Sequence, residues 1–555
     1  MCIRDSGNGE GFIHIEKPED ITFCDPACGS GHILIRAFDL LEAMYLESGY
    51  RRRDIPRLIL TNNLYGIEID ERAGQIASLT LAMCACELDR RFPKRGIQPD
   101  IQVLNSVELD ANNLPHSLAN KKKLVESLAH LNEIGSLVAP DENDLTAIGK
   151  AIEELSDREL FADTMREQLI AAKHQLEVLA RTYDVVVANP PYMGSSRFNP
   201  FMSKWIKANY PDEKGDLCFA FINRICGMKN PDGEAGITAT NSWMFLSSSE
   251  ASRLKVLASN EISSLVQLSV HGYKGIAAQV FAFTLIGKQP GGYKGGYIRL
   301  NDFDHHSLQE PKTLEAIQNP DCGWFYRTDA STFHDIPGSP IAYWASNAMH
   351  EAFKSGYSIE CESDYTGSPN ITGDNDLYLR FHWECNQSKL GRPNKWIPYS
   401  KGGNFRKWYG NLFHVVDWSP EARMFYLDNK TSTLLPEPYW YRGGITYTML
   451  TSGMPCFRKM PEGGAFDKSG PVICQLEANE NKWMGFLNSS VSSAMIGMLN
   501  PTMNLQVKDV KALPMIEPAN QVNRIDAIVS DSIDLSKADW DTQETSWDFK
   551  RNPLV

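Results

Sequence analysis

The stretch Tyr183-Asp184-Val185-Val186-Val187-Ala188-Asn189-Pro190-Pro191-Tyr192 constrains this chain most. A run of strand character, Val185 to Ala188, ends in two prolines. Each proline lacks an N–H and holds φ fixed, so neither continues a ladder inside a buried sheet. The chain must leave the strand there, presenting the Asn189 amide, the Pro190 carbonyl and the Tyr192 ring together. Two polar acceptors beside a stacking surface suit a planar base with an exocyclic amine. An ordinary strand-ending proline turn can carry the same four residues, so the reading rests on what lies upstream.

Upstream, three short strands end in polar or glycine-rich turns. The first, Ile21 to Cys24, runs into Asp25-Pro26-Ala27-Cys28-Gly29-Ser30-Gly31. A helix follows, with Ile33, Leu34, Ala37, Phe38, Leu40, Leu41 and Met44 expected on its apolar side. Gly29 and Gly31 let the backbone approach a ligand closely. The helix start offers free N–H groups and a positive dipole end. The second strand, Asn63 to Asp70, ends in an acid, and a helix is expected from about Glu71 to Leu88. An acid at this strand end, Glu68, is placed to bond the two ribose hydroxyls of an adenosine cofactor. The third strand starts at Ile101 and ends at Asn105-Ser106. Between Asn120 and Arg181 lies a polar, helix-favouring block that begins Lys121-Lys122-Lys123. It reads as a helical insertion whose charge runs are solvated faces. Every one of these tips falls at the carboxyl end of a strand, where open α/β sheets bind ligands.

With 555 residues the chain has room for two or three domains, and 42% apolar with 22% charged residues is an ordinary globular composition. The net charge of −14 excludes a chain that is basic throughout, so charge has to be read by segment. From Tyr378 to Lys459 there are twelve Lys or Arg against five Asp or Glu, interleaved with aromatics. Within that segment Lys401, Arg406, Lys407 and Trp408 sit in a glycine-containing loop, Tyr399 to Tyr409, of the kind that meets DNA phosphates. The 12 cysteines include no Cys-x-x-Cys pair, so no metal site is expected and a reduced, cytoplasmic setting is. No apolar run reaches the ~18–20 residues that cross a bilayer, and no membrane partner is expected.

The order of parts resembles the amino-methyltransferases that use S-adenosylmethionine, in the arrangement where the cofactor motif precedes the catalytic one. Asp25-Pro-Ala-Cys-Gly-Ser-Gly31 looks like their cofactor motif, Gly66-Ile-Glu68-Ile-Asp70 their ribose motif and Asn189-Pro-Pro-Tyr192 their catalytic motif. The resemblance implies that Asp25, Pro26, Ala27, Gly29 and Gly31 hold the methionine part of S-adenosyl-L-methionine. Glu68 would then take the ribose, and Ile69 would pack on the adenine. The family often has an Asp at the third strand end; here Asn105 or Ser106 stands there. Asn189, Pro190, Pro191 and Tyr192 are implied as the catalytic set, holding an adenine flipped out of DNA.

Residues 21–515 are most similar to the adenine-specific methyltransferases of BREX phage-defence systems. This implies a site-specific DNA adenine N6-methyltransferase whose partners are double-stranded DNA and other phage-defence proteins. Alternatives are the methyltransferase and specificity part of a fused restriction-modification enzyme, an RNA or protein-glutamine methyltransferase, and a DNA-recognition subunit with little turnover. The expected fold is α/β: a Rossmann-like methyltransferase domain at 21–300 with a helical insertion at 115–181, then an α+β or β-rich target-recognition domain at 346–515. Residues 1–20 are expected as a poorly defined segment, 301–345 as a linker and 516–555 as the start of a C-terminal region. The abrupt ends suggest a piece of a longer protein.

Overall fold

A computed structural model describes residues 13, 15–110, 113–155, 162–274, 278–289, 291–364, 369–450, 453–474, 479–501, 504–517 and 521–551. The irregular opening Met1 to Ser6 lies outside these residues. The chain divides into a first unit reaching Ser331 and a second beginning at Thr332.

Among the described residues, the first unit is built on one nine-stranded sheet. Its strands are β1 (Phe23–Asp25), β2 (Leu64–Glu68), β3 (Asp100–Val103), β4 (Tyr183–Ala188), β5 (Lys229–Thr240), β6 (Asn260–Gln267), β7 (Val280–Gly287), β8 (Lys294–Arg299) and β9 (Phe325–Asp329). They lie in the order β3-β2-β1-β4-β5-β7-β6-β8-β9. The pairs among β1 to β5 are parallel, and β7 runs antiparallel to both β5 and β6. The chain leaves β1 toward β2 on one side and returns to it with β4 on the other. The β1/β4 boundary is therefore the topological switch point, the place where such sheets open a crevice.

Helix α1 (His32–Glu47) buries Leu34, Ala37, Phe38, Leu41 and Tyr45. Leu40 and Met44, expected on that stripe, are 49% and 43% exposed. At 3.6 residues per turn the stripe through Leu34, Phe38 and Leu41 continues to Tyr45, and Leu40 and Met44 rotate off it. Helix α2 (Glu71–Leu88) is capped by the Asp70 carboxylate, which accepts from the N–H groups of Arg72 at 2.8 Å and Ala73 at 3.0 Å. Between β3 and β4 come α3 (Lys122–Ala129), a short turn at Leu131–Ile134, and the helices Glu142–Leu155 and Ala162–Ala180. After β4 come α4 (Pro200–Asn209) and α5 (Leu217–Met228).

One carboxylate locks the three central strands at their entry end. Asp184 Oδ2 accepts from the Thr22 N–H at 2.9 Å and its hydroxyl at 2.6 Å, and Asp184 Oδ1 accepts from the Asn230 amide at 2.7 Å. The Thr22 hydroxyl oxygen in turn accepts from the Asp184 N–H at 2.9 Å. Opposite Asp184 the β4/β5 register jumps from Tyr183↔Lys229 to Val185↔Glu234. The extra residues include Pro231, whose missing N–H confines it to such irregularities.

The sheet extends beyond residue 300. The helix His306–Gln318 and β9 lie inside the stretch expected as a linker, and β9 pairs with β8. The helix carries an internal Pro311, and β9 is an edge strand with no fully buried residue, so neither shows a clear apolar period.

Among the described residues, the second unit holds three small sheets. Its strands are β10 (Tyr357–Ser358), β11 (Leu379–Phe381), β12 (Trp396–Ser400), β13 (His414–Asp417), β14 (Gly444–Tyr447), β15 (Phe457–Met460), β16 (Ala465–Phe466), β17 (Val472–Ile473) and β18 (Pro514–Met515). They order as β11-β13-β12-β16, β15-β14-β17 and β10-β18. Helices fill the remaining space, giving a mixed α and β unit. The helix Val522–Trp540 places Ile525 and Val529 in the same core as Trp483 and Leu487, so the residues after 515 continue this unit.

Replacing Asp184 by Ala removes the shared acceptor of Thr22 and Asn230. The first unit is expected to lose roughly 1–3 kcal/mol of stability, the cost of half-buried donors left without their acceptor. The midpoint of its denaturant transition measures this, and an unchanged midpoint refutes the locking role.

Candidate active site

The crevice at the switch point gathers the tips of β1, β2, β3 and β4. After β1 the chain turns through Asp25 to Gly31. Gly31 sits at φ 87°, and a Cβ there would lie 3.1 Å from the Cα and Cβ of Ala77 on α2. Only glycine fits that left-handed position and that close a helix. Gly29 (φ 54°) faces open space, with nothing within 4 Å of a built Cβ. The loop thus leaves its backbone open at Gly29.

Glu68, at the end of β2, is bound to that loop. Its Oε2 accepts from the Gly29 N–H at 2.7 Å, and its Oε1 accepts from the N–H groups of Ile69 at 2.9 Å and Asp70 at 3.0 Å. Ile69 is 44% exposed, an apolar side chain offered at a polar strand end. Beyond β3 the two candidates separate. The Ser106 hydroxyl donates to Asn132 Oδ1 at 2.5 Å, whereas the exposed Asn105 amide has only a 3.5 Å contact to the Val103 carbonyl.

The Asn189-Pro190-Pro191-Tyr192 motif follows β4. Asn189 and Tyr192 are exposed and Pro190 is buried. Asn189 Oδ1 accepts the Tyr192 hydroxyl at 3.0 Å and the Thr238 hydroxyl at 2.5 Å. Thr238 arrives on β5, where Ala188 pairs with Ile237. Reading the chain in one dimension misses Thr238; the alternation of β5 next to β4 is the signal that could have found it. Although the Tyr192 side chain is 39% exposed, desolvation in the crevice pushes its phenol up to about 12, so it stays protonated and donates. No described N–H donates to the Pro190 carbonyl.

The insertion reaches this crevice. The Ser136 hydroxyl donates to the Pro26 carbonyl, and the Ser136 carbonyl accepts from Arg224 Nε on α5 at 2.7 Å. Gly135 lies so close to Ile69 that a Cβ would come within 2.9 Å of its Cγ2. The segment Gly135–Leu137 is therefore a wall of the site.

The basic loop of the second unit is held internally. Lys401 pairs with Asp467 at 3.3 Å, and Lys407 Nζ donates to the Asn488 carbonyl at 2.8 Å. Arg406 donates to the carbonyls of Tyr409 at 2.9 Å and Ser536 at 3.2 Å, pairs with Asp539 and lies over the Trp540 ring. Trp408 adopts φ 72° and bridges to β15 through the Phe457 carbonyl and the Lys459 N–H, both at 2.8 Å. The exposed part of the loop is Gly403-Asn404-Phe405, with Phe405 59% exposed.

Asp25 is 1% exposed. Burial, opposed by the Ala27 N–H and aided by the nearby Glu68 charge, raises its carboxyl from 3.8 to about 7. Between those values the folded chain keeps a proton that the unfolded chain has released, so this group's contribution to stability falls as pH rises from about 4 to 7. Asp25→Asn removes that slope. In denaturant titrations the variant is expected to gain on the parent across this window, and a constant difference refutes it.

Residues 62–273 match the family model described as Eco57I restriction-modification methylase. Two curated relatives, the adenine-specific methyltransferases PglX of Lacticaseibacillus casei (strain Zhang) and BrxX of Escherichia coli O9:H4 (strain HS), are each 32% identical over 97% of this chain and 47% of theirs. The chain thus spans about half the length of these relatives. Among solved structures, the Type IIL restriction-modification enzyme MmeI in complex with DNA superposes with a TM-score of 0.54 at 13% identity. That match covers 97% of this chain and 68% of the enzyme. A nuclease-deletion mutant of the Type ISP enzyme LlaGI, in complex with a DNA substrate mimic, gives 0.53 at 12% identity over 93% and 44%. These two likenesses concern the fold. The chain is thus similar along almost its whole length to the adenine-specific methyltransferases PglX and BrxX, and at residues 62–273 to the Eco57I restriction-modification methylase family.

Proposed function

We propose that the chain is a site-specific DNA adenine N6-methyltransferase that uses S-adenosyl-L-methionine and marks double-stranded DNA in the cytoplasm as part of phage defence. The first unit, with its helical insertion, would be the catalytic part and the second the target-recognition part. The observation that carries this reading is the Asn189 amide, held by Thr238 and Tyr192 at the switch point beside the Asp25–Gly31 loop.

The crevice fits the cofactor. The open backbone at Gly29 suits its methionine part with Asp25, Pro26, Ala27 and Gly31, Glu68 suits a ribose, and exposed Ile69 suits an adenine face. Asn105 is the better partner for the adenine edge, because the Ser106 hydroxyl is engaged by Asn132. When bound, the cofactor supplies an activated methyl group, so the protein's task is to prepare the acceptor.

Adenine's exocyclic nitrogen is a weak nucleophile because its lone pair is delocalised into the ring. Asn189 Oδ1 and the Pro190 carbonyl can accept its two hydrogens, favouring a pyramidal nitrogen with its lone pair free. Both lone pairs of Asn189 Oδ1 are taken by hydroxyls, so the amine must displace one. The Tyr192 bond is the longer, and its side chain is 39% exposed, so Tyr192 gives way and stacks on the base, a contact worth about 1–3 kcal/mol. Thr238 stays and orients the amide, while Pro190 and Pro191 keep the backbone preset. In the second unit, Lys401, Arg406, Lys407 and Trp408 brace a loop whose exposed tip at Phe405 is offered to DNA.

Incubating the chain with methyl-labelled cofactor and DNA tests this by the yield of N6-methyladenine. Asn189→Ala is expected to lower the yield by about 100-fold or more with DNA affinity little changed. Absence of methyladenine with the unmutated chain, both in this assay and in the DNA of cells expressing it, sinks the reading. Thr238→Val is expected to reduce kcat by about tenfold with KM for DNA unchanged, and Thr238→Ser to restore it. Equal kcat in the three proteins removes Thr238 from the site.

A further inference from the structure

A second cavity, of about 870 Å³, lies in the first unit between the insertion and the helices α4 and α5. That is within the ~300–1,000 Å³ of small-molecule sites. Three features of its walls point to the same kind of ligand.

The first is α3. Its N-cap is Lys121 and its first residues are Lys122 and Lys123, and no side chain caps it. Three cations at the positive end of a helix dipole oppose one another and the dipole, and leave the free N–H groups unmet. Breaking that local rule without a structural gain marks a functional position. Lys121 is satisfied by Asp144 at 2.7 Å, the one carboxylate of the lining. Lys122 and Lys123 form no ion pair with described residues, while Lys255, which also lines the cavity, acts electrostatically on the buried Glu213 carboxylate.

The second is Arg224. It lines the cavity and is 7% exposed. Nε and Nη2 donate to the carbonyls of Ser136 at 2.7 Å and Leu179 at 2.5 Å, and no described carboxylate pairs with it. A buried cation without a counter-ion is costly, and an anion in the cavity would relieve it. The third is the apolar wall. The rings of Trp205 and Tyr210 line the cavity with their polar atoms already bonded inside, to Ser127 and to the Leu137 carbonyl. Each is 8% exposed and the two pack on each other with centroids 6.0 Å apart, so they offer the cavity a narrow apolar strip rather than a full ring face.

We propose that this cavity binds a nucleoside polyphosphate, its phosphates against Lys122, Lys123, Lys255 and Arg224 and its base toward Trp205 and Tyr210. The free N–H groups opening α3 take a phosphate oxygen, as helix starts do. Lys122, Lys123 and Arg224, with Lys255 partly offset by Glu213, oppose the charge of a polyphosphate, and the volume exceeds what a lone phosphate needs.

Calorimetric titration of the whole chain with ATP, with inorganic triphosphate and with a target-free DNA duplex tests this. Saturable binding of one ATP and one triphosphate is expected, ATP the tighter because of the ring wall. The double variant Lys122→Ala with Lys123→Ala, both exposed residues, is expected to weaken both by about tenfold, and Lys255→Ala to weaken them less. No saturable binding of either probe, or equal binding by the variants, overturns the site. A duplex that competes for it more tightly than ATP overturns the free-nucleotide assignment in favour of backbone phosphate.

Discussion

Register in the central strands is the constraint on which the site depends, and a single carboxylate holds it. Side chains alternate faces along a strand, so a slip of one residue would turn every tip the wrong way. Asp184 ties Thr22 and Asn230 at the entry ends of β1, β4 and β5. From that shared origin, three residues up β1 lead to Asp25 and five up β4 lead to Asn189. The irregularity at Pro231 absorbs the extra length of β5, so that Ile237 pairs with Ala188 and Thr238 arrives beside Asn189. The chemistry at one end of the sheet is set by a polar knot at the other.

The parts legible in the amino-acid order are those whose signal is local. Two prolines end a strand, glycines open a turn, an acid caps a helix, and α2 begins and ends where its cap and periodicity say. What escaped was non-local or weakly patterned. Thr238 gains meaning only once β5 is known to lie against β4. Asp184 reads as one charge among apolar residues until Thr22 and Asn230 fold around it. The edge strand β9 and the Pro311 helix carry too little apolar period to be told from a connecting segment. Leu40 and Met44 were misplaced because a run of apolar residues covers more of a helix than its buried stripe does.

Charge taught a related lesson. A basic, aromatic loop read from composition suggests side-chain heads waiting for phosphate. In the folded unit those heads are bonded to carbonyls and carboxylates of neighbouring segments, and the loop's left-handed residue at Trp408 is held by β15. Composition counts cations; only the fold says which of them still face solvent. In the insertion, Lys122 and Lys123 are exposed, as the run reads, and they also edge a cavity alongside a buried arginine.

The stitch from Pro26 through Ser136 to Arg224 bears on how such proteins can change over time. Segments inserted between sheet strands are commonly treated as ornaments, gained, lost or exchanged between relatives without disturbing the frame. Here the insertion supplies both backbone carbonyls that Arg224 uses, at Ser136 and Leu179. Deleting it would strand a buried guanidinium and loosen the glycine turn beside β1 together. A graft of this sheet onto another second unit would have to carry residues 115–181 with it, or replace Arg224 by an apolar side chain in the same step.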